Sequence, residues 1–148
     1  MPVLSLLLTS AALAAAPCEA APARCSCIPP RPPLEALAQA DAVFSGTVVS
    51  VEERRGEGGM GELEVRIVPD RRWKGAAADT VVVHTADNSA ACGVAFAPGE
   101  AYLVYAYGSD GLRASLCSRT APLAQAADDE EALGTPGRTR IPVRKDAR

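Results

Sequence analysis

The residues of this chain whose chemistry is most restrictive are five cysteines, at Cys18, Cys25, Cys27, Cys92 and Cys117, and a single histidine, His84. A thiol can ligate a metal, attack a substrate or form half of a disulfide, and spacing separates these roles. Cysteine-built zinc sites draw on pairs set about two to four residues apart. Here one Cys-x-Cys is followed by two isolated, distant cysteines, which suits bridges better than zinc. A catalytic serine or cysteine needs a base. His84 lies in the valine-rich run Thr80-Val81-Val82-Val83-His84-Thr85, with no nucleophile motif beside it, so it reads as structural. One histidine also excludes an all-protein, histidine-rich metal site. No enzyme, and no cofactor, is expected. Asp128-Asp129-Glu130-Glu131 falls on consecutive positions that scatter around a helix, so it reads as a solvated face rather than a cation site. Arg71-Arg72-Trp73-Lys74 mixes basic and aromatic residues, but a net charge of −3 argues against a nucleic-acid partner, and Trp73 reads as a barrel plug.

Bridges require an oxidising compartment, and the N-terminal sequence suggests a route to one. Val3 to Leu8 and Ala11 to Ala16 form an apolar stretch of signal-peptide length, shorter than the roughly 20 residues of a membrane span. Ala21-Pro22-Ala23 fits an A-x-A cleavage site. The expectation is a signal peptide over 1–23, a mature start at Arg24 and an extracellular or periplasmic protein without a membrane span. Cys18 then leaves with the signal. Lipid anchoring through Cys18 is not expected, because Pro17 sits where a lipobox wants Gly or Ala. At the other end Gly134-Thr135-Pro136-Gly137 breaks structure, and residues 135–148 read as a basic, flexible tail. One domain, 24–134, remains.

Its core is thin: the 48% hydrophobic share of 148 residues includes 29 alanines. Covalent staples are one remedy for a thin core. Cys25-Ser26-Cys27-Ile28-Pro29-Pro30-Arg31-Pro32-Pro33 is extended, since four prolines forbid helix. Leu34 to Ala40 reads as a short helix with Leu34, Leu37 and Ala38 on one face. Period-two alternation then predicts five strands. They are about ten residues from Ala42, with Val43, Ser45, Thr47, Val49 and Val51 on one side, then Leu63 to Ile67, Thr80 to Thr85, Ala101 to Tyr107 and Leu112 to Cys117. Ala121 to Leu133 reads as a closing helix stopped by Gly134. The expected fold is mainly β, a five-stranded OB-type Greek-key barrel with a short N-terminal helix, a C-terminal helix and two disulfides. A Cys25–Cys27 bridge would need a very tight ring, which leaves two pairings: 25–92 with 27–117, or 25–117 with 27–92. Either clamps the N-terminal segment to the barrel. With both cysteines facing inward, Ser26 points outward from a rigid ridge, a pre-organised binding element.

Cys25-Ser26-Cys27-Ile28-Pro29-Pro30 resembles the mature N-terminus of the tissue inhibitors of metalloproteinases (TIMPs). Ala40-Asp41-Ala42-Val43-Phe44-Ser45-Gly46, Trp73-Lys74-Gly75, Cys92-Gly93, Tyr102 to Tyr105 and Cys117-Ser118-Arg119-Thr120 extend the likeness to bacterial TIMP-like members of the netrin-module (NTR) superfamily. The resemblance implies an OB-like barrel with Cys25 bridged to Cys92 and Cys27 to Cys117. It also implies a metalloendopeptidase inhibitor whose partner is a zinc metalloprotease. In that family the α-amine and carbonyl of the first cysteine chelate the protease's zinc, and the next side chain enters the adjoining pocket. Here those would be Cys25, acting through its main chain only, and Ser26. Arg24 is the departure: left in place, it turns the amine into an amide, and a non-inhibitory extracellular binding module on the same barrel becomes the alternative.

Overall fold

The computed structural model describes residues 25–55 and 60–137. The expected signal peptide, Cys18, Arg24 and the basic residues from 138 onward lie outside the described residues. A helix α1 (Pro33–Gln39) leads into strands β1 (Ala42–Arg55), β2 (Gly61–Lys74), β3 (Val81–Ala86), β4 (Ala101–Ala106), β5 (Leu112–Arg113) and β6 (Ala121–Pro122), and helix α2 (Ala127–Leu133) follows. The strands form one curled sheet in the order β5-β3-β2-β1-β4-β6, antiparallel except for the β3–β5 pair.

Curling brings β5, one end of this order, back to the end of β4. Tyr107, just past β4, exchanges both backbone hydrogen bonds with Arg113 of β5 at 2.9 and 2.8 Å. Five strands thereby approach an OB-type closure, which leaves few backbone groups at open edges. The sixth strand was not expected. Ala121 and Pro122 pair with Leu103 and Tyr102, where the sequence predicts the start of a helix. Pro122 can sit there because this is an edge strand that needs no further donor. A 3₁₀ turn, Leu123–Gln125, separates it from α2.

The β1–β4 wall is buried on both sides, so it separates two cores. Phe44, Val48, Ile67, Val83, Tyr102 and Val104 fill the barrel. Val43, Leu103 and Tyr105 point the other way, against Ala36 and Ala40 at α1 and Leu133 of α2. Strict alternation along β1 fails after Val48. The register with β2 shifts between Val48 and Ser50, which makes Val49 a bulge residue, exposed on the outside. The extra residue returns Val51 to the Phe44 and Val48 face, opposite to the sequence expectation. In α1 the buried face is Ala36 with Ala40 beyond it and Leu37 alongside, whereas Leu34 and Ala38 are exposed.

Trp73, Lys74 and Gly75 fix the helical layer onto the sheet. The Trp73 indole is not inside the barrel; it packs on the outer core and donates to the Gly134 carbonyl at 2.8 Å. Lys74 Nζ donates to the Leu37 and Ala38 carbonyls at 3.2 and 2.9 Å, capping a helix with no basic residue in its own last turn. Gly75 has φ +58°, and a Cβ there would lie 2.4 Å from the Asp41 carbonyl oxygen, so the turn needs glycine. Among the described residues no helix is long and apolar enough to cross a membrane.

Candidate functional site

The N-terminal segment lies across one end of the barrel and is held by two bridges, Cys25–Cys92 and Cys27–Cys117. Of the two pairings open from the sequence, this is the one implied by the TIMP resemblance. Cα separations are 5.0 and 5.3 Å, within the range disulfides span. Each anchor sits in its own short loop. Cys92 caps a 3₁₀ turn, Ser89–Ala91, and Asn88 caps its other end, its Oδ1 accepting from Ala91 N at 2.9 Å. Gly93 follows because a Cβ at that position would lie 2.0 Å from the Ala86 carbonyl oxygen.

The second anchor belongs to the run Cys117-Ser118-Arg119-Thr120, in which every side chain makes a tie. Ser118 Oγ donates to the Ser115 carbonyl at 2.7 Å and lies 3.0 Å from Thr120 Oγ1. Thr120 Oγ1 accepts from Tyr105 N at 3.0 Å and returns a bond to the Tyr105 carbonyl at 3.2 Å. Arg119, in a left-handed conformation with φ +60°, turns its guanidinium inward. Its Nε and Nη2 grip both oxygens of Asp129, and its Nη1 donates to the Arg31 carbonyl at 3.0 Å. A bidentate arginine–carboxylate fork is among the strongest hydrogen-bonded pairs in proteins, and it compensates a backbone conformation that usually costs about 1 kcal/mol or more.

Asp129 is therefore not part of a solvated acidic face. It is buried at the start of α2, where it also accepts from the Tyr105 hydroxyl at 3.1 Å. Its neighbour Glu130 pairs with Arg71 at 2.7 Å across to β2. The chain α2–Asp129–Arg119–Arg31 thus runs from the outer core to the extended segment. It gives the segment a third attachment beyond the two bridges.

Burial first, and the Asp129 charge second, push the Tyr105 phenol well above the ordinary tyrosine value of 10.0. The Arg119 guanidinium is raised too, chiefly by its hydrogen bonds to Asp129. A folded-state pKa above the unfolded value means that the folded form holds the proton more tightly. Stability from Tyr105 is fully present below pH 10 and falls as pH climbs from there toward the folded value. Urea midpoints measured from pH 8 to 11 should fall above about pH 10, and Tyr105→Phe should flatten that slope. A residual slope belongs to Tyr107, raised by burial and then by Asp41. An identical slope in Tyr105→Phe would refute the assignment.

Between the anchors the segment is exposed. Ser26, Cys27 and Ile28 through Pro32 are all open to solvent, Ile28 to 88%. Leu116, beside the second anchor, is also exposed. Cys25 is half-buried. Cys25, Ser26, Cys27, Cys92 and Cys117, singled out from the sequence, are thus gathered at one end of the barrel. His84 is apart from them on β3, half-buried, with Nδ1 3.5 Å from Glu62 Oε2; among the described residues no hydroxyl or thiol hydrogen bonds to it. The Arg119–Asp129–Tyr105 network was not foreseen. Its one sequence signal is a polar run, Ser118-Arg119-Thr120, directly after a bridging cysteine in a turn that must be buried against the fold. The chain matches no protein-family model, and no curated protein matches it.

Proposed function

We propose that this chain is an extracytoplasmic, TIMP-like inhibitor of zinc metalloproteases. The observation that carries the reading is the Cys25-Ser26-Cys27 ridge, exposed at Ser26 and Cys27 and tied at both cysteines to separate loops of the barrel. Such a ridge loses little conformational entropy on docking into a cleft, so more of its contact energy appears as affinity. With Cys25 as the first residue, its α-amine would have a pKa of about 7.7–8.0 and offer a neutral nitrogen near pH 7. A catalytic zinc keeps one coordination position open to such a ligand. The amine and the Cys25 carbonyl would displace the zinc-bound water, and Ser26, small and outward, would enter the adjoining pocket.

Arg24 favours a second reading. If it stays on the mature chain, the Cys25 nitrogen is an amide and a poor zinc ligand. The same exposed ridge, with Ile28 and Leu116 beside it, would then serve as a protein-binding surface without inhibition. N-terminal sequencing of the exported protein decides which form exists. Inhibition of a zinc endopeptidase by purified chains beginning at Cys25 and at Arg24 tests the mechanism. The Cys25 form is expected to inhibit at least about a hundredfold more tightly. Equal inhibition by both forms would remove the amine from the mechanism, and no inhibition by either would leave the binding-module reading.

A further inference from the structure

We propose that the four bridging sulfurs are also a latent zinc site: when both disulfides are reduced, Cys25, Cys27, Cys92 and Cys117 hold one zinc ion as a tetrathiolate. The inference is independent of the inhibitor reading. Spacing along the chain argues against zinc, but the fold places the two bridges side by side. All four Sγ atoms lie within 4.8 Å of one another. Between the bridges, Cys25 Sγ is 3.7 Å from Cys27 Sγ and 3.8 Å from Cys117 Sγ. A zinc–sulfur bond of about 2.3 Å sets the sulfurs of a tetrahedral site about 3.8 Å apart, so these two edges already have the required length. Each bonded pair can open to the same distance by side-chain rotation across Cα separations of 5.0 and 5.3 Å.

The ligands come from three places whose backbones are otherwise held: the extended segment, the Asn88-capped turn at Cys92, and the Ser118 turn at Cys117. The folded arrangement therefore suits the metal, and in the reduced chain zinc binding would be coupled to refolding. The site is also accessible, with Cys27 exposed and the other three half-buried. The chemistry balances. Each bridge takes two electrons and two protons from a dithiol, which leaves as its own disulfide, and four thiols result. Zinc then binds with release of the four protons. The metal would take over the role of the bridges and keep the segment anchored in reducing surroundings.

The test uses the full chain carrying Cys18→Ser, so that these four thiols are the only ones present. The protein is reduced with a dithiol, freed of it without oxygen, and titrated with Co²⁺. Thiolate-to-cobalt charge-transfer bands and the visible absorption of tetrahedral cobalt should appear, saturate at one equivalent and vanish on adding Zn²⁺. The oxidised protein should bind neither metal. Cys92→Ser and Cys117→Ser should each lower zinc affinity more than about a hundredfold, beyond the loss typical of disturbing an outer-shell partner. Absence of the thiolate bands, a reduced chain that stays unfolded when zinc is added, or unchanged affinity in either variant would overturn the proposal.

Discussion

Removing both disulfides, with all four cysteines changed to serine, is expected to lower the unfolding free energy by about 8 kcal/mol, whereas removing either one alone should cost only about 3.5 kcal/mol. The asymmetry follows from the way the loops overlap. The bridges span 67 and 90 residues, and each alone would constrain the unfolded chain by about 4.5 kcal/mol on chain-entropy grounds. With one already closed, however, the second closes a much shorter path. From Cys27 it steps back to Cys25, crosses the first bridge to Cys92 and continues to Cys117, roughly 27 residues in all. Each bridge therefore adds less in the presence of the other. Native proteins are stable by about 5–15 kcal/mol, and a thin, alanine-rich core places this domain toward the lower end, so the four-serine chain should be largely unfolded at 25 °C. Urea unfolding of the parent, the two paired variants (Cys25→Ser with Cys92→Ser, Cys27→Ser with Cys117→Ser) and the fourfold variant measures all three terms. A double loss no larger than the sum of the two single losses would show that loop closure does not govern the bridges.

Asp129→Ala should be the most damaging single substitution among the charged residues, at about 3 kcal/mol. It leaves the Arg119 guanidinium without its carboxylate and the Tyr105 hydroxyl without its acceptor. Breaking a buried pair in this way typically costs about 3–5 kcal/mol. The lower end applies because the Arg119 side chain keeps 22% of its exposure and water partly compensates it. Asp129→Asn retains an acceptor for one guanidinium N–H and should lose less. The effect should also reach the extended segment, since Arg119 is what binds the Arg31 carbonyl. Faster hydrogen exchange at Ala36 and Ala40, whose N–H groups bond to the Pro32 and Ala36 carbonyls just after the ridge, should accompany the stability loss, while β2 and β3 stay protected. A loss below 1 kcal/mol would mean that the network contributes packing alone.

The contrast between these two features explains what the sequence could and could not convey. A half-buried strand writes its burial into alternate residues, so β2, β3 and β4 were legible and the sheet class followed. Cysteine pairing was legible in part, because a bridge across one intervening residue would need a very tight ring, which leaves two schemes, one of them the pairing that the TIMP resemblance implies. Asp129 was not legible. Its environment is set by Arg119, ten positions earlier in an irregular turn, and nothing in four consecutive acidic residues distinguishes the one that turns inward. The Val49 bulge failed for a related reason. Inserting one residue into a pleat reverses every later position, yet valine and serine are acceptable on either face. β6 was missed because two residues carry no period. The sulfur cluster shows the limit most plainly, since sequence spacing measures distance along the chain and a metal site depends on distance in space.

The overlapping bridges have one more consequence. Cys25 and Cys27 are two residues apart yet bonded to two different loops, so the short segment between them is the hub of a covalent graph. A cut anywhere between Cys25 and Cys117 leaves a single connected body. Even with one cut in the β1–β2 hairpin and another in the loop after β4, all three fragments remain fastened to the hub. A protein built this way can thus be nicked more than once without falling apart, its fragments still joined through the segment that carries Cys25 and Cys27.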